Sequence, residues 1–119
     1  MDVEAQIQGE HLHIDVLRDH DMVVIALRGE LDLASAPLLQ DTIEGPDTDD
    51  VRLVVLDMED LEFIDSTGLR IVLAAHTRAQ ERGQELALTR TGQQVQRLLT
   101  ITRVGEHLRI VDSPEELLV

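Results

Sequence analysis

Two kinds of hydrophobic spacing follow one another along this chain. His11-Leu12-His13-Ile14-Asp15-Val16-Leu17 alternates polar and apolar residues, the period of a half-buried strand. Met22-Val23-Val24-Ile25-Ala26-Leu27 is apolar throughout and predicts a deeper strand. Asp19-His20-Asp21 between them reads as a turn, so the two strands form an antiparallel hairpin. Residues 1–10 mix charge, Gln and Gly, and are expected to be a flexible N-terminal segment ahead of a single domain over 11–119.

After the hairpin the period changes. A short helix is predicted from about Ser35 to Ile43, capped by Ser35 or Asp32, with Pro37 in its first turn and Leu38, Leu39 and Ile43 on its apolar side. Gly45 to Asp50 reads as a loop. Val51 to Leu56 is a β-branched, apolar strand that Asp57 is expected to end. From Ser66 to about Arg82, Leu69, Val72, Leu73, His76 and Ala79 recur at helical spacing, and Gly83 suits the C′ position. Glu85 to Thr89 is the next strand. Thr91 and Gln94 then spell a capping box opening a helix whose buried side is Val95, Leu98 and Leu99. Leu108 to Val111 is a last short strand, and Ser113-Pro114-Glu115-Glu116 starts a final helical turn. The predicted order is ββαβαβαβα: an α/β fold in which an antiparallel hairpin leads into parallel strands of one mixed sheet. Right-handed crossovers place the helices mainly on one face.

Composition narrows the function. The 119 residues include one aromatic side chain, Phe63, so the core is aliphatic. There is no cysteine, which excludes a disulfide framework and thiolate sites. The formal charge is −14, and all ten basic residues are Arg, scattered along the chain. Nucleic acid and anionic membranes each need a basic face, so neither is an expected partner. The acidic surface either keeps the chain in solution or steers a basic protein toward it. Met1-Asp2-Val3-Glu4 does not begin a signal peptide, and no apolar run approaches the ~20 residues of a membrane span. The expected location is the cytoplasm.

The chemistry gathers at Phe63-Ile64-Asp65-Ser66-Thr67-Gly68-Leu69, where a strand-side segment meets a helix start. Asp65-Ser66-Thr67-Gly68 has an aspartic-protease flavour, but its glycine is one residue late and no second copy supplies a dyad. A serine-hydrolase elbow would need glycine where Ile64 stands. Neither Gly-rich phosphate loop occurs. His11 and His13 share a strand face without a third ligand in sequence reach. Asp32, Asp57 and Asp65 either gather a cation at a sheet rim or cap helices and a strand end. What remains is a hydroxyl, Ser66, beside carboxylates and without a base. It is either a helix cap worth about 1 kcal/mol or a site that another enzyme modifies, where a phosphate would add roughly −1.5 to −2 charges.

Gly29-Glu30-Leu31-Asp32, Val54-Val55-Leu56-Asp57 and Phe63-Ile64-Asp65-Ser66-Thr67-Gly68-Leu69 closely resemble the STAS domain, in particular the bacterial anti-sigma factor antagonists. The resemblance runs from about residue 11 to 117. It implies a non-enzymatic protein without a cofactor, whose unmodified form binds an anti-sigma factor that is also a serine kinase of histidine-kinase-like ATPase fold. Binding releases the sigma factor. Phosphorylation at Ser66 ends binding, and a PP2C-type phosphatase reverses it. By match, Asp32 supports partner binding and phosphorylation, and Asp65, Thr67 and Gly68 shape the helix start. The alternative within the family is a STAS module of a stressosome-like scaffold, or an accessory subunit of a lipid or anion transporter. One departure stands out: Thr102-Arg103-Val104 occupies the place of a Thr-Gly-Leu.

Overall fold

A computed structural model describes residues 2–117. One six-stranded sheet runs β1 (Asp2–Gln8), β2 (Leu12–Asp19), β3 (Met22–Leu31), β4 (Leu53–Ile64), β5 (Glu85–Thr89) and β6 (Arg109–Val111), side by side in chain order. The first two pairings are antiparallel and the last three parallel. Helices α1 (Ala36–Glu44), α2 (Ser66–Glu81) and α3 (Gln93–Ile101) are the crossovers between the parallel strands. Consecutive right-handed crossovers put all three on the same face of the sheet.

That face holds the main core. Ile14, Ile25, Leu27 and Leu56 of the strands pack with Leu39 of α1, Val72 of α2 and Leu99 of α3, all essentially without solvent contact. Burying a side chain of this size contributes roughly 1.5–3 kcal/mol, so this aliphatic layer is the main stabilising feature. The alternate residues Met22, Val24, Leu53, Val55 and Ala87 point to the opposite face and form a smaller cluster. Leu117, from a 3₁₀ turn at Pro114–Leu117, packs on it.

The predicted mixed α/β architecture stands, with corrections. The segment expected to be flexible is β1. Its Ala5 and Ile7 pack against the core at period two, and its backbone satisfies the outer edge of β2. The final helical element is a 3₁₀ turn, so the described residues carry six strands and three α-helices where five and four were expected. Asp57 does not end its strand. Two extra residues on β4, opposite Ala26–Arg28 and Gly29–Glu30, are accommodated as bulges, and the strand continues to Ile64. The bulges turn Met58, Leu61 and Ile64 inward at intervals of three, a spacing that masks a strand. On α2, Ala75 takes the buried place expected for Leu73, which is exposed.

Helix ends differ as well. Thr91 caps nothing: Gly92 is the N-cap of α3, with no side-chain bond. Gly83 does adopt the left-handed conformation predicted after α2, at φ +70°. After α3, Arg103 takes that conformation at φ 62°, so the chain keeps the glycine backbone without the glycine. No helix among the described residues is long and apolar enough to cross a membrane.

Candidate functional site

The rim of the sheet at the C-terminal ends of β3 and β4 brings the two acidic turns together. Leu31 and Ile64 are register partners at the ends of their strands. The Asp65 N–H then donates to Leu31 O at 3.2 Å. Asp65 is the N-cap of α2: Oδ1 accepts from Gly68 N at 2.9 Å. Its second oxygen, Oδ2, accepts from Leu33 N at 3.2 Å. One carboxylate thus satisfies an orphan amide of the helix and fastens the β3–α1 turn.

Gly68 makes this junction tight. A Cβ there would lie 2.7 Å from Leu31 O, 2.8 Å from Leu31 Cγ and 2.9 Å from Ile64 Cγ1. Only a residue without a side chain lets the first turn of α2 sit on the ends of β3 and β4.

With Asp65 as cap, Ser66 is spared that task. It is the first residue of α2, it is exposed, and its hydroxyl makes no hydrogen bond among the described residues. The reading of Ser66 as a helix cap is therefore overturned in favour of Asp65. Thr67 is half-buried and likewise makes no side-chain bond among those residues.

Asp32 organises the neighbouring turn. Its Oδ1 accepts from Ala34 N at 3.1 Å and Ser35 N at 3.0 Å. The Ser35 hydroxyl, itself buried, accepts from Asp32 N at 2.9 Å and shares its proton between Glu30 O at 2.8 Å and Asp32 Oδ1 at 3.1 Å. The Ser35 N–H, more than any other group, holds the Asp32 carboxyl below the usual carboxylate range. Partial desolvation opposes it, while the Ser35 hydroxyl, the Ala34 N–H and the charge of His11 reinforce it. Asp32 thus shapes its own turn, and Asp65 joins that turn to α2.

The other candidate ligands do not converge. Asp57 sits within β4 and accepts from Glu59 N and the Thr89 hydroxyl, apart from the β3–α1 turn that Asp32 and Asp65 both serve. His13 is engaged by Gln8 and by Asp15, and His11 faces Glu30 at 3.6 Å. Among the described residues no group of three or more His, Asp or Glu side chains gathers around a point.

One residue was hidden from sequence reasoning. Gln94, read above as the second half of a capping box, reaches β4 instead. Its Oε1 accepts from Ile64 N at 3.1 Å and its Nε2 donates to Ile64 O at 3.3 Å. Nothing in the spacing of a single sequence marks a contact across 30 positions. Three of the exposed large apolar side chains belong to the segments that meet at this junction. Leu33 is 73% exposed, Phe63 38% and, two turns along α2, Leu73 37%.

The STAS domain family matches this sequence over residues 13–117. The chain is similar to the anti-sigma-B factor antagonist of Listeria monocytogenes, with 27% identity over 100 residues, 84% of this chain and 88% of that one. Its fold is similar to the crystal structure of an anti-sigma factor antagonist from Mycobacterium paratuberculosis. That match has a TM-score of 0.81 at 20% identity, covering 94% of this chain and 96% of that one. It is also similar to the Bacillus cell fate determinant SpoIIAA in its phosphorylated form, at a TM-score of 0.68 and 20% identity, covering 88% and 96%. The six-stranded mixed sheet, the Asp65-capped helix and a family match spanning nearly all the described residues agree: the chain belongs to the STAS domain family.

Proposed function

We propose that this protein is an anti-sigma factor antagonist whose binding is switched by phosphorylation of Ser66. The unmodified form binds an anti-sigma factor that is also a serine kinase, and a sigma factor is released. Phosphorylated, it lets go, and a PP2C-type phosphatase restores it. The observation that carries this reading is the free state of the Ser66 hydroxyl: exposed, on the first turn of α2, and relieved of capping by Asp65.

The surroundings explain how one phosphate would act. Leu33, Phe63 and Leu73 offer an apolar rim that a partner would desolvate. A phosphate of roughly −1.5 to −2 charges amid that rim, beside Asp65, would be buried against repulsion. Tenfold in affinity is about 1.4 kcal/mol, so a single such charge suffices to end binding. The fold need not change, because the start of a helix tolerates an anion. Asp32, with the turn it holds beside Asp65, supports partner docking and presentation of Ser66 to the kinase.

A pull-down with candidate anti-sigma factor kinases tests the reading. Ser66→Ala retains the partner, and Ser66→Asp and Ser66→Glu lose it. Equal capture of all three would refute the switch.

A further inference from the structure

Pairing between β4 and β5 covers Leu53 to Leu56 only, whereas β4 runs on to Ile64. Beyond Leu56 the side of β4 away from β3 has no neighbouring strand among the described residues. Two side chains from beyond the strand serve its backbone there. The Thr89 hydroxyl accepts from Met58 N at 2.7 Å, and at the far end the Gln94 amide takes both polar groups of Ile64. A primary amide that accepts from an N–H and donates to the C=O of the same residue reproduces what a parallel strand would offer at that position. Ile64 lies two residues before Ser66, and on the opposite side the Asp65 N–H is held by Leu31 O. The junction is therefore gripped from both sides at successive residues, by α3 through Gln94 and by β3 through Leu31.

We propose that Gln94 is a positioning residue for Ser66. It fixes the end of β4 so that Asp65 meets the Gly68 and Leu33 amides and α2 starts with its hydroxyl outward. Its importance for switching rests on the reading of Ser66 as the modified residue, but the positioning itself does not. It also makes the N-terminal turn of α3 part of the apparatus behind the switch.

The test is amide hydrogen exchange on the unmodified protein, which no kinase enters. Gln94→Ala should speed exchange at Ile64 and Gly68 at least tenfold while Val16 and Ile25 keep wild-type protection. Gln94→Glu adds a signature that generic weakening lacks. Its carboxylate repels Ile64 O near neutral pH, whereas its protonated form accepts and donates as the amide does. Protection at Ile64 and Gly68, referred to wild type at the same pH, should therefore be lost at pH 7 and recovered in mild acid. Arg28, Glu59, Asp60 and Glu62 share the groove beside Gln94, and Arg97 follows on α3. The wild-type reference removes their titration from the comparison. Unchanged exchange at Ile64 and Gly68, an equal rise at all four amides, or no recovery in acid would each overturn the proposal. Loss of phosphorylation in wild type would overturn the function proposed for Ser66 and leave this result standing.

Discussion

Asp65 takes the backbone N–H of Leu33, 32 positions earlier in the chain, at 3.2 Å while its other oxygen caps α2. The rim aspartate is thus the joint between two turns, and the hydroxyl next to it is left unengaged. Removing the joint should show in stability. Asp65→Ala loses a helix cap worth about 1 kcal/mol and leaves the Leu33 amide without that partner. Asp65→Asn keeps an acceptor at the cap. Urea unfolding should show the alanine variant less stable by about 1–2 kcal/mol and the asparagine variant, whose NH2 group meets one of the two N–H donors in place of an acceptor, between it and wild type.

Gly68→Ala sets two effects against each other. Alanine favours a helix over glycine by about 1 kcal/mol, yet here its Cβ would press on Leu31 O at 2.7 Å and on two side-chain carbons below 3 Å. Backbone cannot yield as a flexible side chain does, so overpacking of about 1–3 kcal/mol wins. The variant should unfold at lower urea than wild type.

Much of this arrangement was legible in the sequence. The apolar run at Val51–Leu56, the helical spacing after Ser66 and Gly83 at a helix end gave the crossovers, and Asp65-Ser66-Thr67-Gly68 marked the site. Other features needed three dimensions. Val3, Ala5 and Ile7 do alternate, but weak apolar character among acids and glutamines concealed β1. Bulges broke the period of β4. Which oxygen caps α2 could not be read from adjacent Asp and Ser residues, both good caps, and the Gln94 contact depends on β5 ending short of Ile64.

Arg103 holds a left-handed backbone at φ 62°, which costs a side-chain-bearing residue about 1 kcal/mol or somewhat more. Arg103→Gly removes that cost, and the greater freedom of glycine in the unfolded chain offsets part of the gain. Thermal unfolding should place the variant above wild type, by the equivalent of about 0.5–1 kcal/mol.

Asp32 and Glu59 give stability opposite dependences on pH. The Asp32 carboxyl is lowered, so the folded state releases its proton more readily. Its contribution is complete above the unfolded value of about 3.9 and disappears as pH falls through the lower native value. The wild-type advantage over Asp32→Asn in urea midpoint should hold at neutral pH and shrink below about pH 4. Glu59 is raised, first by desolvation and then by Asp57, Asp60 and Glu115. Its ionised form opposes folding, so Glu59→Gln should gain over wild type once pH exceeds about 4.3 and show no gain well below it.

Mass spectrometry of the intact chain and its peptides reads the state of Ser66 directly. After incubation with ATP and candidate anti-sigma factor kinases, a single phosphate is expected on Ser66, with none on the Ser66→Ala variant. Phosphate on another residue, with Ser66 unmodified, would contradict the proposed switch.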